Sequence, residues 1–348
     1  MGSQKPQDVA LIGCGAIMEL AHVPALITLA GQYRIRAVAD PVPGRRDLLG
    51  DRLGVPAAAR FGSVAHLAGE VSPQTLAVVA VPTPAAAATI SALSAAGLPV
   101  LAEKPVALSA ASARTLATGD IRVVHNYLCR AEVQQALRLV GQGTIGAPRF
   151  IRLEQPDPGH FPGRGEQPDW RRRGAAGCLL DNAYHWVYVA EALAASPVHT
   201  VTAQSAAPEP GIAAEDVAVL VLRHHSEVLT CVQTAWCAAA AEPVLEVHGT
   251  TGSLRMAVGG CVVTPPGQEV AVVRREPAYV TFYRQMSEAA RSGQRFGASL
   301  NDCVHVLSVL DAAYRSAAAG VTVTVADALE TGAGETETSH TSNAPAKA

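Results

Sequence analysis

Short apolar runs alternate with helical segments along the first part of the chain. The runs that predict strands occupy residues 8–12, 35–39, 76–81, 99–102 and 121–124. The segments that predict helices between them occupy residues 18–30, 85–96 and 109–118. Wholly apolar strands that alternate with helices are typical of a parallel sheet buried on both faces. The pattern therefore predicts an α/β fold that begins with a doubly wound Rossmann domain.

The second part of the chain has a different character. Helices are predicted over residues 130–140, 177–195, 279–291 and 300–318. Strands are predicted over residues 149–154, 198–206, 217–224, 228–235, 244–248, 253–257 and 270–274, with a turn over 249–252. This succession favours an α+β domain with a large, mostly antiparallel sheet. We predict a dinucleotide-binding domain in residues 1–126, a substrate-binding and oligomerisation domain in residues 127–328, and a disordered tail in residues 329–348.

Composition and charge narrow the class of protein. A chain of 348 residues fits about two domains. With 49% hydrophobic and 16% charged residues, it can bury a sizeable core and is expected to be a soluble globular protein. The net charge of −3 argues against partners such as nucleic acid or an acidic membrane.

The cysteines and the termini indicate a cytoplasmic protein. The seven cysteines are scattered and form no CxxC pair, which argues against a zinc site or a disulfide framework. No signal peptide is visible. Residues 76–102 carry no charge, but Pro82, Pro84 and Pro99 interrupt them, so a membrane-spanning helix is not expected.

A glycine turn follows the first strand. Gly13 permits a tight turn, and Gly15 lets the backbone approach a pyrophosphate at the start of the helix. Asp40 ends the second strand, where a carboxylate can hold the adenosine ribose hydroxyls. The acid favours NAD over NADP, although Arg45 and Arg46 leave NADP open. The alternative is a βαβ unit with a glycine turn and no nucleotide.

Lys104 is distinguished by composition. Lys5 and Lys347 lie in the polar ends of the chain, so Lys104 is the only lysine within the predicted folded body, where arginine supplies the other basic side chains. Arginine cannot give up its proton, whereas a lysine amine can titrate. Lys104 also follows an apolar strand, at the sheet edge where doubly wound folds bind ligands. The alternative is that the base composition of the gene favours arginine and that Lys104 has no special role.

Four motifs follow one another along the chain: GCGAIM from Gly13, VPTP from Val81, AGLPVLAEKP ending at Pro105, and a GxxxDxxxH block from Gly177. In these motifs the chain resembles the Gfo/Idh/MocA family of NAD(P)-dependent oxidoreductases, whose members mostly act on sugars, cyclitols and sugar nucleotides. It departs from the family where Met18 replaces a small residue, and where alanines replace a histidine after the VPTP turn.

The resemblance implies a set of site residues. Lys104, Asp181 and His185 are the expected catalytic residues, with His185 as general acid or base and Lys104 holding the reacting oxygen. Which of the two transfers the proton stays open. Residues expected to bind the cofactor are Gly13, Gly15, Ala16, Ile17, Asp40, Pro82, Thr83, Glu103, Lys104 and Asn126. Residues expected to bind the substrate are Lys104, Trp170, Arg171, Asp181 and His185.

Without the resemblance, the GxxxDxxxH block has an ordinary structural interpretation. Asp181 and His185 lie four residues apart, on one face of a helix, where an aspartate can begin the helix and a histidine can be partly buried. A metal site is not expected, because two ligands at this spacing lack partners. In the Gly/Pro-rich loop 155–177, Arg172 and Arg173 are expected to be solvated. Tyr283 is expected near the nicotinamide.

The predicted activity is hydride transfer between NAD, or NADP, and a secondary alcohol or ketone on a sugar-like small molecule. The alternatives are an imine reductase of the same family, a glycoside hydrolase that uses NAD transiently, and a dinucleotide-binding sensor without catalysis. The sensor ranks last because Lys104 and His185 are both present. The resemblance also implies a homodimer or homotetramer formed through the second sheet.

Overall fold

The computed structural model describes residues 5–116, 119–157, 177–207, 214–236, 242–257, 260–265, 268–271 and 276–326. Within them the strands form two sheets, of six and nine strands. Among the described helices, none combines the length and the apolar character needed to cross a membrane.

The first sheet is parallel and has the strand order β3-β2-β1-β4-β5-β6. Its strands are β1 Gln7–Ile12, β2 Tyr33–Ala39, β3 Arg60–Phe61, β4 Leu76–Val79, β5 Val100–Ala102 and β6 Ile121–Val123. The three residues of β5 are all buried, as expected for a strand covered on both faces. This order confirms the predicted doubly wound fold, in which strands are added first on one side of β1 and then, from β4 onward, on its other side.

Helices cover both faces of the first sheet. They are α1 Val23–Thr28, α2 Pro43–Leu53, α3 Val64–Glu70, α4 Thr83–Ala95 and α5 Ala110–Arg114. A π-helical segment, Met18–His22, leads into α1. Pro24 favours this segment, because proline has no N–H for the usual helical bond to the residue four before it. The residue that precedes it, Val23, donates its N–H to the carbonyl of Met18, five residues back, as in a π-helix.

The second sheet has the order β14-β13-β12-β11-β7-β10-β9-β8-β15 and is antiparallel except where β7 pairs with β10. Its strands are β7 Pro148–Pro156, β8 Val198–Ala206, β9 Val217–His224, β10 Leu229–Ala235, β11 Val244–Gly249, β12 Ser253–Ala257, β13 Gly260–Thr264, β14 Gln268–Ala271 and β15 Val323–Thr324. The predicted antiparallel sheet is confirmed. Strand β13 and the short β15 were not anticipated.

The two faces of the second sheet differ. Along β9, buried and exposed residues alternate, as in a sheet that covers a core on one side only. Helices α6 Ala131–Gly141, α7 Tyr184–Ala194 and α9 Leu300–Ala319 pack on the buried face. On the other face, four large apolar side chains of the central strands are each 38–44% exposed: Phe150, Val219, Val221 and Leu229.

The end of the described chain returns to the first sheet. Helix α8, Ala278–Arg291, packs on α1, and the hydroxyl of Tyr33 donates to the carbonyl of Tyr283 at 2.7 Å. Helix α9 packs on α5, where the N–H of Ala110 donates to Asp311 Oδ2. Side chains from the later part of the chain therefore reach the carboxyl edge of the parallel sheet.

Candidate active site

The glycine turn is fixed by the protein on one side and open on the other. Gly13 has φ +87°, and a Cβ there would lie 2.4 Å from the carbonyl oxygen of Ala80. A Cβ on Gly15 would meet no described atom within 4 Å. Of these two glycines, the fold itself requires Gly13. The outer face at Gly15 is open, so phosphates can approach the first turn of the helix, which contains Ala16 and Ile17.

Asp40 holds this turn from the end of β2. Its Oδ2 accepts the N–H of Cys14 at 2.8 Å, and its Oδ1 accepts the N–H of Val42 at 2.8 Å. The residue is only 6% exposed. Each carboxylate oxygen has a second acceptor position, so Asp40 can fix the loop and still receive a ribose hydroxyl.

The other cofactor-binding residues predicted from the sequence also lie at the carboxyl edge of the first sheet. Pro82 and Thr83 follow β4, Glu103 and Lys104 follow β5, and Asn126 follows β6. The buried Oδ1 of Asn126 accepts no hydrogen bond from any described group. Such an acceptor is suited to an amide donor on a ligand.

Asp181 lies in a second π-helical segment, Leu179–Ala183, which leads into α7. Glu215 fixes its start, because the carbonyl of Glu215 accepts the N–H of Cys178 at 2.9 Å and its Oε1 accepts the N–H of Leu179 at 3.1 Å. A Cβ on Gly177 would lie 2.1 Å from this carboxylate. The glycine of the GxxxDxxxH block is thus explained by close packing, and π turns of this kind are frequent at functional sites.

Lys104 and Asp181 join the two halves of the site. Lys104 Nζ donates to Asp181 Oδ1 at 2.7 Å and to the backbone carbonyl of Asp181 at 2.8 Å. Both side chains are 10% exposed, so solvent screens their attraction weakly. An ammonium has three N–H donors, and these two bonds leave the third for another acceptor.

His185 is held in place by two tyrosines. The ring of Tyr127 stacks on the imidazole at 4.0 Å between centroids and 9° between planes. Tyr188, three residues along α7, places its hydroxyl 2.7 Å from His185 Nδ1. Burial, and then the positive charge of Lys104, hold the pKa of His185 well below its usual range. The imidazole is therefore neutral at physiological pH.

A second histidine supports this arrangement. His125 stacks on Tyr188 at 4.0 Å and 6°, and its Nε2 lies 3.3 Å from the hydroxyl of Tyr184. Burial lowers the pKa of His125 to about 4, so it too is neutral at pH 7. These aromatic residues lie around His185 and restrict the ring orientation.

Glu103 points away from Lys104 into a separate cluster. Its Oε1 lies 3.1 Å from His22 Nε2 and accepts the hydroxyl of Tyr279 at 2.7 Å, while its Oε2 accepts the N–H of Lys104 at 3.2 Å. Burial alone would raise the pKa of Glu103, but the hydrogen bonds and charge of His22, with smaller contributions from Tyr279 and Lys104, lower it overall. The carboxylate therefore stays ionised and anchors the turn that presents Lys104.

The structure brings Lys104, Asp181 and His185 to one place. Tyr283 is fully buried, with its hydroxyl 2.8 Å from His22 Nδ1, so it lies in the Glu103 cluster. Trp170 and Arg171, together with Arg172 and Arg173, lie outside the described residues.

The supporting residues were missed from the sequence, although two signals exist. Tyr188 follows His185 by three residues, and Tyr279 precedes Tyr283 by four, so each pair shares a helix face. In the described part of the chain, no group of three or more histidine, cysteine or acidic side chains is arranged to hold a metal ion.

Two family models match the chain. Residues 7–119 match the oxidoreductase family with an NAD-binding Rossmann fold, and residues 133–255 match the GFO/IDH/MocA C-terminal domain. The chain is 25% identical over 344 residues to a D-apiose dehydrogenase of Rhizobium rhizogenes, an alignment that covers 91% of this chain and 96% of that protein.

Solved structures share the fold. An oxidoreductase from Agrobacterium radiobacter, in complex with NAD+, L-tartaric acid and magnesium, superposes with a TM-score of 0.82 at 23% identity, covering 92% of this chain and 99% of that one. The WlbA dehydrogenase from Bordetella pertussis, in complex with NADH and UDP-GlcNAcA, gives 0.79 at 19% identity, covering 94% and 99%.

Proposed function

Because the chain belongs to the GFO/IDH/MocA family of oxidoreductases with an NAD-binding Rossmann fold, we propose that it is a dehydrogenase for a secondary alcohol or ketone of a sugar-like molecule. The observation that carries the proposal is the buried pair between Lys104 and Asp181, which joins the edge of the parallel sheet to α7. His185 lies one turn further along the same helix.

The residues at the sheet edge fit the dinucleotide. The open side of the turn at Gly15 and the N–H groups that begin the helix suit a pyrophosphate. Asp40 suits the adenosine ribose, with both oxygens already oriented by the backbone. The unsatisfied Oδ1 of Asn126 suits the carboxamide group of the nicotinamide. NAD, when bound, supplies the site that gives or takes the hydride.

The chain's own residues would handle the substrate oxygen. The third N–H of Lys104 is available to hydrogen-bond the reacting oxygen and to stabilise negative charge that develops on it. Asp181 fixes Nζ through two acceptors, which restricts the direction of that third N–H. His185 Nε2 makes no hydrogen bond to any described group. It is therefore available for a second hydrogen bond with the reacting oxygen of the substrate.

The substrate class rests on relatives as well as on the site. The named relatives include D-apiose dehydrogenases from two bacteria and a dehydrogenase bound to a sugar nucleotide. Polyhydroxylated substrates suit a site with several neutral hydrogen-bonding groups and one cation. We therefore assign a sugar, a cyclitol or a sugar nucleotide as the substrate.

The test is a screen of sugars, cyclitols and sugar nucleotides, with D-apiose included, against NAD and NADP. We expect nicotinamide absorbance to change with at least one of these substrates, and with NAD in preference to NADP. Lys104→Met is the matched control, because it removes the amine and should abolish the signal. Product formation without net change in absorbance, with cofactor that co-purifies, would instead identify a hydrolase that uses NAD transiently.

The open face of the second sheet suggests self-association. Leu229 and Phe150 are directly paired on neighbouring strands, and Val219 and Val221 continue the apolar surface. Burial of such a surface favours a dimer or tetramer. We expect Val221→Asp together with Leu229→Asp to lower the mass measured by light scattering to that of a monomer. An unchanged mass would exclude this face as the interface.

We assign a separate function to the domain built on each sheet. Residues 1–126 are assigned to dinucleotide binding, and residues 127–328 to substrate binding and oligomerisation. A cytoplasmic location agrees with the six cysteines that the structure describes, none of which forms a disulfide.

A further inference from the structure

The direction of one buried hydrogen bond determines which nitrogen of His185 carries the proton. Nδ1 of His185 and the hydroxyl oxygen of Tyr188 are 2.7 Å apart, so one of them donates to the other. A histidine and a tyrosine can each play either role, and the tautomer must be inferred from the other bonds of the pair.

Tyr188 has a second neighbour that decides the direction. The backbone N–H of Tyr127 donates to the Tyr188 oxygen at 3.1 Å, so this oxygen already accepts one bond. Tyr188 is 5% exposed, and His185 Nδ1 is the acceptor within reach of its proton among the described groups. If Nδ1 donated instead, the tyrosine O–H would be buried without an acceptor, an arrangement that proteins avoid.

The protonation states agree with this direction. Burial raises the pKa of Tyr188 well above its usual range, so the phenol keeps its proton. Burial and the charge of Lys104 keep His185 neutral. A neutral imidazole that accepts at Nδ1 carries its single proton on Nε2.

We propose that Tyr188 is a positioning residue that locks His185 in the Nε2–H tautomer, so that His185 donates a hydrogen bond to the reacting oxygen and Lys104 transfers the proton. The assignment rests on the proposed function. It changes the role of His185 predicted from the sequence, because an Nε2 that already carries a proton has no lone pair with which to take the proton of a substrate hydroxyl.

The proton balance is simple in the reduction direction. As the substrate carbon receives a hydrogen with its electron pair from the reduced dinucleotide, the C=O bond becomes a C–O single bond. The Nζ–H bond of Lys104 breaks, and its proton forms the new O–H bond. Lys104 is left as a neutral amine that remains hydrogen-bonded to Asp181, and oxidation of the alcohol reverses these steps.

The first test reads the tautomer without turnover. Nitrogen-15 NMR of the full-length protein, with His185 assigned by the loss of its signals in His185→Gln, reports which ring nitrogen is protonated. We expect a protonated Nε2 and an unprotonated Nδ1 between pH 6 and 8. A protonated Nδ1 in the wild type would overturn the proposal.

Tyr188→Phe should release the lock. We expect the Nδ1–H tautomer to become populated and kcat to fall about tenfold, as for loss of one buried hydrogen bond, with little change in KM for NAD. Tyr184→Phe is the matched control, because it removes a buried hydroxyl from the same helix whose partner is His125. Its His185 tautomer should be that of the wild type. A tautomer unchanged in Tyr188→Phe would exclude the lock.

The second test assigns the proton. In His185→Gln, an amide N–H can replace the donor, so we expect activity to fall while the ionisation that limits kcat/KM in the wild type is retained. Loss of that ionisation in the glutamine variant would make His185 the proton-transfer group and overturn the assignment. Failure of every substrate in the screen would refute the proposed function, whereas the NMR result depends only on the bond from Tyr188.

Discussion

Two neighbouring residues, Glu103 and Lys104, lead into regions with opposite properties. The Glu103 region is saturated, since its carboxylate receives bonds from His22, Tyr279 and a backbone N–H. The Lys104 region is unsaturated, since one ammonium N–H and His185 Nε2 keep hydrogen-bonding capacity to spare. A buried polar cluster with every bond made holds a structure rigid, whereas one with bonds left over is prepared for a ligand.

The largest effect that would sharpen this contrast is expected at Lys104. Lys104→Met removes the donor for the reacting oxygen, and we expect kcat to fall about 10³-fold. Binding of NADH, measured by fluorescence, should survive because Asp40 and the glycine turn are intact. Arg34→Met, on the exposed side of β2, is the control and should leave turnover unchanged. Near-wild-type turnover in Lys104→Met would remove the difference between the two regions.

A second effect tests the neutrality of the Lys104 region. Burial puts the folded-state pKa of His125 at about 4, below the usual 6.5. The unfolded chain therefore takes up a proton first, and stability should fall as the pH drops from about 6.5 to about 4. The loss attributable to His125 is about 3 kcal/mol.

Urea denaturation at several pH values measures this loss. His125→Gln should lose about 3 kcal/mol less than the wild type between pH 7 and pH 4. The exposed variant His66→Gln should follow the wild-type curve. Parallel curves for wild type and His125→Gln would show that His125 is not held neutral.

A third effect concerns the saturated region. Glu103→Gln leaves buried donors poorly paired, and we expect about 2 kcal/mol lower stability with a much smaller fall in kcat than for Lys104→Met. Because the folded-state pKa of Glu103 is lowered, its stabilisation is present above pH 4.5 and is lost as the pH falls through the folded value. The stability gap between wild type and variant should therefore narrow below pH 4.5. A kcat as low as that of Lys104→Met would contradict a supporting role.

The smallest expected effect is a difference in stability between variants of two tyrosines of the saturated region, Tyr279 and Tyr283. Tyr279→Phe removes a bond to a carboxylate and should cost about 1.5 kcal/mol, while Tyr283→Phe removes a bond to a histidine and should cost about 1 kcal/mol. Thermal unfolding of both variants measures the order. A larger cost for Tyr283→Phe would mean that the charge on Glu103 contributes little to this cluster.

The sequence was informative where the residue types within a short segment indicate a structure by themselves. Apolar runs such as β4 and β5 predicted the parallel sheet, because a strand buried on both faces has few polar positions. Gly13 predicted a tight turn, and its φ of +87° in the structure agrees. Lys104 stood out as the only lysine in the predicted folded body. The two-residue strands β3 and β15 gave no comparable signal, since pairing with neighbouring strands rather than composition defines them. Strand β13 was missed although its Val262, Val263 and Thr264 are β-branched.

The tertiary structure decided how the site residues are divided. Glu103 and Lys104 are adjacent in sequence, but opposite side-chain directions place them in different clusters. His22, Tyr127 and Tyr188 joined these clusters through distances and hydrogen-bond directions that no spacing encodes. The sequence by itself determined the fold class and the groups available for chemistry. Only the packing of α7 and α8 against the sheet edge determined which of those groups are saturated and which remain available to react.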